Sequence, residues 1–137
     1  MIYQVASALD IIHQNHMNHL DVKPSNIMID KDNDNNALLI DLGSAHLCRA
    51  DKTNETSLLL VRRRVFTPPE IQGLRDFSST VDNYSIGDTL YYILVVDMPS
   101  ATNDLQNEAC PDDISDTTWH TISKSIRLNP AERPQSI

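Results

Sequence analysis

Two short apolar runs on either side of a polar segment constrain this chain more than any other feature. Ile27-Met28-Ile29 and Ala37-Leu38-Leu39-Ile40 each suit a strand and are too short for a helix. Between them, Asp30 to Asn36 consists of Asp, Asn and one Lys, which predicts a β-hairpin with a long tip. Pro24-Ser25 breaks the helical pattern ahead of the first run. An antiparallel hairpin places the entry of its first strand beside the exit of its second. Asn26 and Asp41, fifteen residues apart in sequence, are therefore predicted to be neighbours in space.

Around this hairpin the patterning is helical. Apolar residues at Ile2, Val5, Leu9 and Ile12 follow a 3-4-3 spacing, which predicts a helix running to about His16. It begins in stride at the first residue without a cap, the pattern expected when further sequence lies upstream. No period survives from Gly43 to Phe66, a stretch read as a long surface segment. Pro68-Pro69 opens a new helical region. Tyr84 to Val96 is apolar on nearly all sides and predicts a buried central helix. Residues 97–116 read as an acidic loop. Trp119, Ile122, Ile126 and Leu128 predict a last amphipathic helix, ended by Asn129-Pro130. The fold class is mainly α with a small β-hairpin, and 137 residues suit one domain.

Composition narrows the function classes. Hydrophobic residues make up 40% and charged residues 22%, ordinary values for a folded chain. Aromatics are 5%, which predicts a mostly aliphatic core. Nineteen acids against eleven bases give a formal charge of −8, the wrong sign for a nucleic-acid binder. No Lys or Arg occurs from Asp76 to Ser123, whereas Arg62, Arg63 and Arg64 are consecutive. The acidic region 76–123 reads as a solvated surface, with a docking face for a basic partner as the second reading. The longest apolar run, Leu90 to Val96, is too short to span a bilayer, and the N-terminus lacks the features of a signal peptide. Cys48 and Cys110 fit neither a disulfide framework nor a zinc pattern. Thiols in a reducing compartment are expected, the cytoplasm first and the nucleus second. The glycosylation triplets at Asn54 and Asn83 carry no weight there.

The chemistry concentrates in His19-Leu20-Asp21-Val22-Lys23-Pro24-Ser25-Asn26, which resembles the catalytic loop of eukaryotic-type protein kinases. Four further segments resemble the same family in the same order: Asp41-Leu42-Gly43, Pro68-Pro69-Glu70, Asp82-Asn83-Tyr84-Ser85-Ile86-Gly87 and Asn129-Pro130-Ala131-Glu132-Arg133-Pro134. Each is weak alone; five in order cover almost the whole chain. The resemblance implies that residues 1–137 are the larger, C-terminal lobe of a kinase domain, from the helix before the catalytic loop to just past the Arg133 motif. The N-terminal lobe, with its glycine-rich loop and strand Lys, is absent from this stretch.

That resemblance implies phosphoryl transfer from ATP to a protein Ser or Thr hydroxyl, catalysed by positioning and charge neutralisation. Asp21 and Lys23 are the implied catalytic residues. Asp21 would orient the substrate hydroxyl and accept its proton; a free aspartate titrates near pH ~4, so orientation outweighs basicity. Lys23 would offset phosphate charge, and its place two residues after Asp21 is the Ser/Thr-type pattern. Lys23, Ser25, Asn26 and Asp41 are the implied nucleotide-binding residues. Asn26 and Asp41 would hold Mg²⁺, a hard ion that takes oxygen ligands. Glu70 and Arg133 are expected to form an ion pair, Asp82 to brace the catalytic loop, and His19 to be a packed loop residue. The implied partner is a protein substrate, with no nucleic acid and no membrane.

The chain departs from the family at Leu20, where an Arg that reads phosphorylation is usual, at Leu42 and Tyr84, and at Arg62 to Thr67, which lacks a Gly-Thr. The three Arg read as a solvated basic stretch, with a preference for acidic or phosphorylated substrates as the second reading. Asp30, Asp32, Asp34 and Asp41 match positions 1, 3, 5 and 12 of a calcium loop, but Pro24 and the first strand stand where its entering helix belongs. His13, His16 and His19, spaced by three, read as helix and loop residues before they read as metal ligands. Two functions follow: a segment of an active Ser/Thr kinase, or a pseudokinase or scaffold module without catalysis.

Overall fold

The computed structural model describes residues 1–47, 66–71, 78–95, 105 and 108–137. The expectations for residues 48–65, including Cys48 and Arg62 to Arg64, lie outside the described residues. Among the described residues are three α-helices and two small antiparallel sheets.

Helix α1 spans Ile2–Gln14. Val5 and Leu9, one turn apart, are fully buried and set its inner stripe, flanked by Ile2, Ala6 and Ile12. The helix stops two residues before the predicted end. His16 adopts a left-handed φ of 55°, which turns the chain out of the helix. It leads into strand β1 (Met17–Asn18), which pairs with β4 (His46–Leu47) in the register Met17↔Leu47 and Asn18↔His46. This two-stranded sheet was not expected, because two residues carry no readable period.

The predicted hairpin is present. Strand β2 (Ile27–Asp30) pairs with β3 (Asn36–Leu39), register Ile27↔Leu39 to Asp30↔Asn36. At its tip Asp34 and Asn35 take φ values of 52° and 55°, a geometry that Asp and Asn tolerate best among side-chain-bearing residues. The Asp30 carboxylate accepts from the Asp32 N–H at 3.1 Å, so it closes the turn. Asp41 lies at the other end of the ladder, so the hairpin does not gather the four carboxylates of the calcium pattern. Gln4 fastens the hairpin to α1: its amide donates to the Asn36 side chain, and its carbonyl accepts from the Ala37 N–H at 2.9 Å.

Helix α2 spans Thr80–Val95. It is central, and its burial follows expectation in part. Burial holds as expected from Tyr84 to Thr89 and at Tyr91 and extends back to Thr80, whereas Tyr92 and Leu94 near the apolar end are exposed. Some of the buried polar groups find partners, Asn83 Nδ2 donating to the Pro134 carbonyl at 2.6 Å and Ser85 Oγ to the Val81 carbonyl at 3.1 Å, whereas Asn83 Oδ1, Asp88 Oδ1 and Thr89 Oγ1 find none. Helix α3 spans Asp116–Ser125, capped by Ser115, whose Oγ accepts from the Thr118 N–H at 3.2 Å. Trp119, Ile122 and Ile126 are buried, but Leu128 is 56% exposed. The helix ends before Leu128, and Asn129 caps a separate 3-10 turn, Pro130–Glu132, by accepting from the Ala131 N–H at 3.1 Å.

The interior has three parts. Val5, Leu9, Val22, Ala37 and Ile86 join α1, the hairpin and α2. Tyr84, Tyr91, Leu105, Trp119, Ile122 and Ile126 join α2 and α3. Half of that second cluster is aromatic, while the buried apolar residues as a whole are mostly aliphatic, as expected: the scarce rings are concentrated between α2 and α3. Leu20, Ile71 and Val81 form a small third cluster. Among the described residues no helix is long and apolar enough to cross a membrane.

Candidate active site

The loop between β1 and β2 is held from below by one carboxylate. Asp82, fully buried in the first turn of α2, accepts from the His19 N–H at 2.7 Å and the Leu20 N–H at 2.9 Å. Its Oδ2 also meets His13 Nε2 of α1 at 2.9 Å. Charge-assisted bonds of this kind are stronger than neutral ones. The expected bracing role of Asp82 is present, and His13 joins it, a contact the sequence reading did not find.

His19 is packed as expected. Its Nδ1 accepts from the Asp21 N–H at 3.3 Å, which assigns the ring proton to Nε2, and that atom lies 3.2 Å from the Ile40 carbonyl. The ring therefore links the loop to the chain leaving β3. Leu20 takes a left-handed φ of 62°, a conformation that costs a non-glycine residue roughly 1–3 kcal/mol and persists only where its surroundings enforce it.

Three of the sequence-predicted residues converge. The nearly buried Asp21 carboxylate Oδ2 accepts from Lys23 Nζ at 2.9 Å and from Asn26 Nδ2 at 3.1 Å. Asn26 Nδ2 also donates to the Asp21 carbonyl at 2.8 Å. The 3-10 turn Pro24–Asn26 makes this return possible, closed by the Asn26 N–H on the Lys23 carbonyl at 3.0 Å. Ser25 is exposed in the same turn.

Asp41 comes near by backbone. The Ile40 N–H donates to the Asn26 carbonyl at 2.9 Å, one step beyond the ladder, so Asn26 and Asp41 flank the open end of the hairpin as predicted. The Asp41 side chain is exposed, with φ at 67°, and its Oδ1 accepts from the Gly43 N–H at 3.1 Å. A Cβ on Gly43 would stand 2.9 Å from that oxygen, so a side chain there would disturb it. With Asn26 Nδ2 committed to Asp21, the side-chain atoms available to a cation here are oxygens, the donor type a hard divalent ion prefers.

The turn Pro69–Ile71 is tied in by the expected ion pair. Arg133 Nη1 and Nη2 donate to Glu70 Oε1 and Oε2 at 2.5 and 2.9 Å, a bidentate geometry. The remaining donors go to the carbonyls of Arg127 at 2.6 Å, Leu128 at 3.1 Å and Thr80 at 3.2 Å. The guanidinium also lies 4.8 Å from the Tyr84 ring centre. The sequence reading found the pair but not these three carbonyls.

A groove of about 640 Å³ lies elsewhere, against Asp116, Trp119, Lys124 and Arg127. None of the loop residues line it. The acidic region is also smaller at the surface than in the sequence. Asp82 and Asp88 are internal, while Glu108, Asp112, Asp113 and Asp116 are exposed. Asn83 is buried at 2% exposure, so its glycosylation triplet is out of reach.

Comparison with known proteins agrees with this geometry. The profile of the protein kinase domain matches residues 1–135. The chain belongs to the protein kinase family. It is 27% identical over 141 aligned positions to an Aurora kinase of Eremothecium gossypii, covering 96% of this chain and 37% of that protein. It is 36% identical over 95 positions to an Aurora kinase of Debaryomyces hansenii, covering 69% of this chain and 22% of that protein. A calcium and calcium/calmodulin-dependent serine/threonine-protein kinase of Oryza sativa is 30% identical over 133 positions, covering 93% of this chain and 25% of that protein. The chain thus spans well under half the length of these relatives.

Proposed function

We propose that the chain is the C-terminal lobe of a Ser/Thr protein kinase domain, which in the full-length protein moves the γ-phosphoryl group of ATP to a protein Ser or Thr hydroxyl. The observation that carries this reading is the convergence of Lys23 Nζ and Asn26 Nδ2 on one oxygen of Asp21, at 2.9 and 3.1 Å, above the Asp82 brace.

Asp21 accepts the substrate hydroxyl proton as the new O–P bond forms and the bond to ADP breaks. Its two neighbours fix the angle of the carboxylate, which is the main requirement when catalysis is mostly positioning. Lys23 swings between Asp21 and the transferring phosphate, an exchange that its long, half-exposed side chain permits. Asn26 and Asp41 would hold Mg²⁺ through their side-chain oxygens, and Lys23 and Ser25 would bind the nucleotide. Magnesium, when bound, offsets the phosphate charge.

The test is phosphate transfer by the full-length protein from labelled ATP to casein and to itself. Asp21→Asn should lower kcat by about 10²- to 10⁴-fold while ATP still binds. Undiminished transfer by Asp21→Asn would refute the assignment of the base. A wild-type protein that binds ATP and transfers nothing would instead favour a scaffold role.

A further inference from the structure

We infer that Leu20 is a positioning residue for Asp21, an apolar strut through which the turn at Pro69–Ile71 sets the angle of the catalytic carboxylate. The inference rests on the reading of Asp21 as the base. Three observations support it. Leu20 precedes Asp21 directly and sits at φ 62°. In that conformation its side chain packs into a closed cluster with Ile71 and Val81, the three being 4%, 3% and 2% exposed. Its N–H is fixed on Asp82 Oδ1 at 2.9 Å. The backbone leading into Asp21 is thus gripped at Leu20 by one hydrogen bond and one buried side chain.

The far end of the strut is rigid too. Ile71 follows Glu70, which Arg133 holds by two bonds. The cluster thus joins Ile71, next to the Glu70 that Arg133 holds, with Leu20 beside Asp21. The link is apolar, so a polar side chain at position 20 would leave its hydrogen-bonding groups unpaired against Ile71 and Val81. A left-handed leucine has no local reason to persist. Burial in this cluster is what holds it, and that couples the backbone beside Asp21 to a turn that precedes α2.

The test uses the full-length protein with ATP and casein. Leu20→Ala should lower kcat by about tenfold or more, because a small misplacement of a reacting group is costly. KM for ATP should stay within about twofold, since the nucleotide contacts lie on other residues. Ile71→Ala should act alike, and the double variant should be no worse than either single, as expected for one shared path. Leu20→Met, which refills the same volume, should recover most of kcat. An unchanged kcat in Leu20→Ala, a rise in KM matching the fall in kcat, or a Leu20→Met as impaired as Leu20→Ala would each overturn the strut. Amide exchange by mass spectrometry gives a readout independent of turnover. Faster exchange in Leu20→Ala confined to His19–Asp21, with α3 unchanged, supports the strut, and unchanged exchange overturns it. A wild-type protein that transfers no phosphate fails the kinase reading alone, and exchange still decides Leu20.

Discussion

At the scale of single residues, Asp88 conflicts most with its surroundings. It is 2% exposed on α2, and its Oδ1 has no hydrogen-bond partner. Burial pushes its carboxyl from the ordinary 3.8 up to about 7. In the unfolded chain it ionises near pH ~4, so between these values the unfolded state binds fewer protons than the folded one. Its contribution is therefore fully present below about pH 4, is lost as pH rises towards 7, and levels off above. Urea unfolding followed from pH 5 to 8 should show stability falling by on the order of a few kcal/mol from this group. Asp88→Asn should flatten that slope, and an unaltered slope would assign it to other groups. Nothing local announces this behaviour: an Asp between Gly87 and Thr89 looks like a surface residue until the helix is seen to be enclosed. Asp21, Lys23 and Asn26 were legible because their spacing falls within one turn of chain, where sequence distance and spatial distance nearly coincide.

At the scale of elements, the joint between α2 and α3 is tight at Gly87. A Cβ there would stand 2.5 Å from Ser125 Cβ and 3.2 Å from Ile126 Cγ2. Gly87→Ala should destabilise by about 1–3 kcal/mol, even though alanine favours a helix by about 1 kcal/mol over glycine. Adding Ser125→Gly, which removes the nearer atom, should recover much of that loss in thermal melts monitored by circular dichroism. The hairpin and α1 were readable because each has a strong period and a clear break. The β1 and β4 pair was not, since two-residue strands exist only by virtue of the partner each finds. The burial expected from Tyr84 onward holds through Thr89 and at Tyr91 but fails at Tyr92 and Leu94. Apolar content alone marks Tyr84 to Val96 as interior, yet the interior also takes in the largely polar Thr80 to Asn83, where the Asp82 carboxylate is used by the loop N–H groups.

For the molecule as a whole, two buried charged groups join segments distant in sequence. Arg133 and Glu70 are 63 residues apart, as are Asp82 and His19. Glu70→Ala would leave a guanidinium buried without its counter-charge, and should cost about 3–5 kcal/mol in urea unfolding. A loss under 1 kcal/mol would show that the three carbonyls suffice to hold Arg133. The sequence by itself determined the family, the order of the elements, the hairpin and the identity of the loop residues, because those depend on motifs and periods that act over a few neighbouring residues. Only the tertiary structure decided which side of α2 is interior, that all the guanidinium donors of Arg133 are used, and that Leu20 meets Ile71 and Val81. Each depends on burial, and burial is a property of surfaces that distant segments bring together. The hairpin first placed Asn26 beside Asp41 from local pattern alone; what holds the backbone just ahead of Asp21 came from α2, sixty residues away along the chain.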